Sequence, residues 1–408
     1  MTIREISACR SCYGNNIELM LNLGAQALSG VFPLADEKDP IIGPLQLGLC
    51  TDCSLVQLLH SFPPELMYGD NYGYRSGLNA SMVNHLQSKA RGIFKKYLLD
   101  SNSVILDIGS NDGTLLNSLV GMSKYLFGMD PTSKKFAEYY DPAVTRIEEF
   151  FSKQSFLKHG KKANLIFSIA MFYDLDHPVD FVREIEESLT EDGIWHFEMS
   201  YLPSMIDTNS FDTICHEHVE YYSLSSIEYI LDKANMRIID LELNEINGGS
   251  IAVTATKKGN NYSESGLVSW LRESEHNRFG DFRGELSQFA KRVEIQKSNL
   301  VSLVQTLKKD GFTIWGVGAS TKGNVLLQYC GLNSDVIDGI ADVNPYKFNR
   351  VTPGTRIPIK SEAEMLGAKP DFALVLPWHF KSSIIQRSFE YHKLGGKLIF
   401  PLPLITFN

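Results

Sequence analysis

Three groups of residues in this chain have the types and spacing of chemistry. Cys9 and Cys12 form one C-x2-C pair, and Cys50 and Cys53 form another. Each pair offers two thiolates from one turn, and together they can surround a zinc ion tetrahedrally. With every position filled by protein the metal would be structural, and the long stretch between the pairs adds little closure entropy. A disulfide reading suits an oxidising compartment. A redox reading wants a pair that opens a helix after a buried strand, and neither pair does.

The second group is Asp107-x-Gly109-x-Asn111-Asp112-Gly113, with Asp130 beyond it. An apolar run ends at Asp107, breaks at a glycine turn and resumes as a helix. A second apolar run then ends at Asp130. Strand, turn, helix, strand, acid is how a doubly wound sheet holds an adenosine-type cofactor at the carboxyl ends of its strands. The third group is His216-Glu217-His218, preceded by Cys215 and followed by Tyr221 and Tyr222. This cluster has neither helical nor strand periodicity. Histidine titrates near neutrality and can take a proton from a carbon acidified by a carbonyl. The alternatives are an H-x-H metal site with Glu217 as third ligand, or a polar loop satisfied by its own hydrogen bonds.

These groups need elements to position them. A chain of 408 residues exceeds one core and predicts two or three domains. We expect a zinc-binding domain over 1–65, with strand and loop around 24–29 and 44–48, a cofactor domain over 66–285, and a second α/β unit over 286–408. Apolar spacing predicts a helix over 81–98 and strands at 104–107, 125–129, 164–169 and 193–199. A closing antiparallel pair is expected at 238–243 and 250–256, joined by Asn247-Gly248-Gly249, a strong hairpin signal. Residues 263–309 are charged and helix-patterned and read as a connector. The second unit opens with Gly316-x-Gly318, and its further strands are expected near 336–342, 372–376 and 397–400.

Net charge of −9 without a basic run argues against nucleic acid as the main partner. No apolar stretch reaches the ~20 residues of a membrane span. The first residues lack a signal peptide's apolar region, so the expected location is the cytoplasm, where the cysteines stay reduced.

The dinucleotide fingerprint is incomplete, because Asn111 stands where its middle glycine would be. The string instead resembles motif I of class I S-adenosylmethionine (SAM) methyltransferases. The whole chain resembles the nucleotide-sugar C-methyltransferases that make branched deoxysugars. The resemblance rests on the cysteine pairs, Tyr72-x-Tyr74-x-Ser76, the SAM turn, the run from His216 to Ser223, and Asn247-Gly-Gly-Ser250. Gly318-Ala-Ser-Thr-Lys-Gly-Asn324, Asp342-Val-Asn-Pro-Tyr-Lys347 and Thr352-Pro-Gly-Thr-Arg-Ile-Pro358 extend it.

That resemblance implies an α/β fold: a doubly wound class I SAM methyltransferase sheet, flanked by an N-terminal zinc-binding domain and a C-terminal Rossmann-like domain. SAM and a structural Zn2+ are the implied cofactors. The implied partner is a small-molecule nucleotide-sugar, not nucleic acid or membrane, with the protein acting as a monomer or small homo-oligomer. His218 is implied as the base that removes the proton at C3 beside the C4 carbonyl, so that the enolate takes the SAM methyl. Glu217 is its companion, with His216 in the same string and Tyr72 and Tyr74 near the sugar. Asp107, Gly109, Asn111, Asp112, Gly113 and Asp130, with Ser76 and Met171, would hold the cofactor.

Two departures concern the acceptor. Family members acting on antibiotic sugars carry Tyr before the H-E-H string, where this chain has Cys215. They also carry a histidine after the fourth strand, where 171–176 has none and His177 is offset. Competing readings are an O- or N-methyltransferase using the same His218, a zinc-dependent scaffold, and an NAD-linked oxidoreductase built on Gly316-x-Gly318 with Asp338 or Asp342 as ribose acid.

Overall fold

The computed structural model describes residues 3–67 and 74–408, so Tyr72 lies outside the described residues. The largest sheet has seven strands, in the order Met236–Asn244, Ser250–Lys257, Leu189–Ser200, Ala163–Ile169, Val104–Ile108, Tyr125–Met129 and Val144–Ile147. All neighbours run parallel except Ser250–Lys257, which is antiparallel to both of its own. That is the class I SAM methyltransferase sheet. Its inner strands read as continuous apolar runs because helices cover both faces. Leu106, Ile166, Trp195, Phe197 and Val253 fill one side. Ile105, Leu126, Leu165, Phe167 and Ile194 fill the other, against Met82, Leu86, Ala90, Ile93 and Phe94 of the helix Ala80–Lys96.

The expected strands are present with ends moved by a few residues, and one was missed. Val144–Ile147 is a four-residue edge strand whose middle is polar, so it carries little apolar signal. The closing hairpin turns at Asn247 (φ 55°), Gly248 (φ 91°) and Gly249 (φ 124°), where three successive left-handed residues call for this sequence.

Ile17–Ala27, Ile42–Cys50 and Val56–Leu58 form an N-terminal sheet, and Glu220–Tyr221 joins it as a fourth strand. The C-terminal sheet has six strands, ordered Ile359–Ser361, Ile340–Asp342, Ile314–Val317, Phe372–Val375, Lys397–Phe400 and Thr406–Phe407. Only Ile340–Asp342 of the expected 336–342 strand forms. Asp338 instead turns back, accepting hydrogen bonds from the backbone N–H of Ile314 at 3.1 Å and from Lys308 at 3.1 Å.

The connector is two helices, Gly266–Phe279 and Phe282–Lys309. Leu286, Phe289, Val293, Leu300 and Val304 of the second share one apolar core with Leu21, Leu23 and Leu45 of the N-terminal sheet and with the C-terminal sheet. The first helix supplies Glu275, which is buried and accepts from the Tyr201 hydroxyl at 2.6 Å and from the N–H groups of Leu224 at 2.7 Å and Ser225 at 2.9 Å. One carboxylate thus caps the helix Leu224–Lys233 directly after the H-E-H segment.

Glu275→Ala would strand two buried donors and free a third, exposed one, and should cost about 3 kcal/mol in urea unfolding, with Glu275→Gln recovering part of it. A loss below about 1 kcal/mol would show that the cap does not anchor this segment.

Candidate active site and metal centre

The two cysteine pairs fold into matching knuckles. Cys9 N–H donates to Gly14 O and Tyr13 N–H to Cys9 O; Cys50 N–H likewise donates to Leu55 O and Ser54 N–H to Cys50 O. Tyr13 (φ 62°) and Ser54 (φ 63°) take the same left-handed conformation. The repetition brings the four sulfurs within 4.8 Å of one another, with Cys9–Cys53 at 3.6 Å and Cys12–Cys50 at 3.5 Å. Thiolates held at ~2.3 Å from a tetrahedral zinc sit ~3.8 Å apart, so the four residues fit the metal. Gln57 and the Gly14 N–H donate to Cys9 Sγ and Cys12 Sγ, supplying the outer shell that such sites use. All four ligand positions are occupied by protein, so the zinc is structural.

Arg10, inside the first knuckle, is buried and carries that order away from the metal. Its guanidinium donates to Leu58 O at 2.5 Å, His60 O at 3.1 Å, Ser61 Oγ at 2.9 Å and Asp176 at 3.0 Å. Burial pushes the Asp176 carboxyl up, but Ser61 and Arg10 outweigh it and hold the group below its ordinary range. Asp176 in turn lines the main cavity. Neither Arg10 nor Asp176 stood out in the sequence, since Arg10 finds its carbonyls about fifty residues on and Asp176 lies more than a hundred residues from Arg10 and Ser61.

That cavity, of ≈ 320 Å³, lies at the carboxyl ends of the central strands. Gly109, Asn111, Asp130, Tyr74, Ser76 and Met171, all singled out in the sequence, line it. Gly109 is left-handed (φ 76°), and a Cβ there would meet the Met171 side chain at 3.2 Å. Gly113 (φ 76°) opens the following helix against the Tyr140 ring. The turn is laced to the segment before the first helix. Asn111 Oδ1 accepts from Ser76 N–H at 2.9 Å, and Asp112 Oδ2 from Gly77 N–H at 2.9 Å. Asp130 accepts from Asn111 N–H at 2.9 Å and Thr132 N–H at 2.6 Å, which fixes its carboxylate at the cavity edge for two ribose hydroxyls. Met129, Pro131 and Phe150 flank it with the apolar surface an adenine ring needs.

Asp107, Asp112 and Gly113 are buried behind this wall and do not line it. Asp107 is held well above the usual carboxylate range by burial and then by the Asp130 charge. Glu198, not singled out in the sequence, closes the far side, paired with His85 at 2.6 Å and Lys89 at 3.1 Å. It accepts from Asn244 as well.

The H-E-H string divides its residues between two surroundings. His216 is wholly buried against the N-terminal sheet, its Nε2 at 3.3 Å from Gly43 O and its ring edge-on to Phe62 at 4.6 Å. Burial lowers it to about 4, so it is a neutral packing group. Glu217 lies against Gly30, where any Cβ would collide with its carboxylate, and Cys215 Sγ approaches it at 3.8 Å. Burial raises Glu217 to about 7. His218 packs against the Tyr173 ring at 4.2 Å with the two planes tilted by 55°, and its Nδ1 is 3.0 Å from Thr213 O. A backbone carbonyl only accepts, so Nδ1 carries the hydrogen and Nε2 is the free base. Burial, and then the Lys322 charge, lower this imidazole to about 3, which keeps it unprotonated at neutral pH.

Neither Glu217 nor His218 lines the main cavity; their neighbours Val219 and Asp174 do. His177 is exposed at the start of the helix Pro178–Ser188, so it does not replace the histidine missing after the fourth strand. The Gly316-x-Gly318 turn is occupied by its own domain. Asp342 accepts from Ala319 N–H at 2.7 Å, and the Pro377 ring fills the space over Gly318.

Three family profiles match in succession: a zinc binding domain over residues 9–68, a methyltransferase domain over 82–241 and a C-methyltransferase C-terminal domain over 245–403. The chain is 28% identical to the C-methyltransferase NovU of Streptomyces niveus over 98% of its own length and 96% of that protein. Among solved structures it is similar to a methyltransferase from Bacillus halodurans, with 12% identity over 42% of this chain and 99% of that one and a TM-score of 0.34. A SAM-dependent methyltransferase from Clostridium acetobutylicum gives 13% identity over 42% of this chain and 91% of that one, with a TM-score of 0.33.

Cys50→Ser should abolish stoichiometric zinc in metal analysis and lower the melting temperature; full zinc content and wild-type melting would contradict the site. For Asp107 the sign is set by its raised pKa. Asp107 does not touch the cavity, but a cofactor ammonium bound on the other side of the wall still favours its ionised carboxylate, so binding releases a proton wherever free Asp107 is still protonated. The affinity for S-adenosylhomocysteine, followed by calorimetry, should rise with pH until Asp107 ionises unaided. Asp107→Asn should flatten that rise and weaken binding about tenfold.

Proposed function

We propose that this chain, a SAM-dependent methyltransferase with a zinc-binding domain, methylates a carbon beside the keto group of a nucleotide-activated sugar. The observation that carries the reading is His218. Its Nδ1–H is fixed on Thr213 O, and Nε2 is left as an unprotonated base. The name of the Streptomyces relative and the description of the C-terminal domain both favour carbon as the acceptor.

In this reading Nε2 of His218 takes the proton from the carbon next to the carbonyl. The buried imidazole is a poor base in isolation. It becomes adequate because the imidazolium forms together with an enolate, so the two new charges balance within the site. Glu217, raised to about 7, is ionised often enough at neutral pH to support the imidazolium. SAM supplies the methyl group, and its positive sulfur is neutralised as the enolate is consumed. Tyr74, half-exposed on the cavity wall, can follow the sugar ring, while Asp130 and the Asn111 turn hold the donor. Proximity provides much of the remaining acceleration.

His218→Ala should keep S-adenosylhomocysteine affinity while slowing deuterium wash-in beside the carbonyl of a dTDP-linked 4-keto-6-deoxyhexose by about 10²-fold or more. Exchange continuing at the wild-type rate would remove His218 as the carbon base and favour methylation of a hydroxyl or amine.

A further inference from the structure

A weak buried base can form an enolate only if the new negative charge on oxygen is also received. The C-terminal domain brings one cation, Lys322, close enough to His218 for its charge to act on that imidazole. Lys322 is the second residue of the helix Thr321–Cys330, which Ser320 caps. Its side chain reaches across the domain boundary, and Nζ donates to Asn247 O at 2.6 Å. Asn247 belongs to the hairpin turn that lines the cofactor cavity. We propose that Lys322 is a catalytic residue, donating a hydrogen bond to the substrate's keto oxygen and holding its charge as the enolate forms. The proposal rests on the keto-sugar reading above.

The surroundings of Lys322 are those of a polar group awaiting a ligand. An ammonium has three donors, and Asn247 O is its single hydrogen-bond partner among the described residues. Asp212 faces it but is not joined to it as an ion pair. Asp212 Oδ2 accepts from Trp378 Nε1 at 2.8 Å, while its Oδ1 is buried without a partner. At the same junction Asn324 Oδ1, Ser29 Oγ and His379 Nδ1 are also buried and unpartnered. Asn324 itself bonds to Ser29 O at 2.7 Å, tying the C-terminal helix to the loop that carries Gly30 and its neighbour Glu217. Buried polar atoms in native proteins are almost always satisfied. Asp212 and His379, both within reach of the Lys322 charge, thus leave polar atoms free to meet a polyhydroxylated carbonyl compound beside that cation. The Lys322 charge is also felt at His218, where it disfavours the imidazolium, and at Asp212, which it steadies as the carboxylate.

The electrons balance without a change in Lys322 protonation. The C–H proton goes to His218 Nε2, the C–H pair becomes the C=C bond, and the carbonyl π pair moves onto the oxygen held by Lys322. The enolate carbon then forms the new C–C bond, the S–CH3 pair stays on sulfur as S-adenosylhomocysteine, and the carbonyl re-forms. The proton on His218 leaves to solvent.

The test uses the full chain as wild type, Lys322→Met and Lys322→Arg. Three quantities are measured: melting temperature, S-adenosylhomocysteine affinity, and deuterium wash-in beside the carbonyl of dTDP-4-keto-6-deoxyglucose. We expect Lys322→Met to melt and bind the cofactor product as wild type does while exchange falls about 10²–10³-fold, with Lys322→Arg recovering about tenfold. Lys322→Met exchanging within about threefold of wild type would overturn the role of Lys322 and leave the keto-sugar reading standing. Two variants that both melt early, with no recovery by arginine, would reduce Lys322 to a clip on Asn247 and also overturn it. Wild-type protein that neither exchanges nor methylates the keto sugar would overturn the reading and this inference together.

Discussion

The position of one segment, residues 211–223, governs the rest of the molecule. It belongs to no single sheet. Glu220 and Tyr221 pair with Gln57 and Val56 as the edge of the N-terminal sheet. Tyr222 O accepts from Leu202 N–H of the central domain, and Asp212 accepts from Trp378 of the C-terminal domain. His218 turns with whatever fixes Thr213 O and the Tyr173 ring. A base with the role proposed for His218 tolerates little misplacement, and three attachments leave this loop little freedom.

This arrangement gives the zinc a purpose beyond the fold of the first residues. The sheet it organises has too little core to form alone, and its edge is where Tyr221 docks. The metal knuckle also carries Arg10, which holds the carbonyls of Leu58 and His60 together with Asp176 on the cavity wall. Structural metal, sheet edge, reactive loop and cofactor wall are therefore linked by direct hydrogen bonds. The long helix Phe282–Lys309 completes the linkage by burying one apolar stripe against both flanking sheets. What reads in the sequence as a charged connector is the spine between the first and last domains.

The legibility of each part follows from how local its causes are. The cysteine pairs and the Asp107 turn are recognisable because ligand spacing and glycine conformation are written within a few residues. The hairpin at Asn247-Gly248-Gly249 is legible for the same reason. The H-E-H cluster announces chemistry, but its division does not follow from the string. His216 is claimed by Phe62 and Gly43, whereas His218 is turned the other way by Thr213. Arg10 and Glu198 carried no signal of their own, because each owes its place to partners distant in the chain, and Lys322 stood in a recognisable motif that did not point to Asn247 or His218. The edge strand Val144–Ile147 was hidden by its two polar central residues.

In the proposed function three domains converge on one acceptor atom, with the donor on the Asp107 turn and the base on the shared loop. The most direct test is a structure of the complex with S-adenosylhomocysteine and a dTDP-linked 4-keto sugar. The account predicts the homocysteine sulfur over the carbon beside the carbonyl, His218 Nε2 within hydrogen-bonding reach of that carbon's proton, at about 3 Å, and Asp130 on the cofactor ribose. A sugar bound with that carbon facing away from His218, or a hydroxyl in its place under the sulfur, would contradict it.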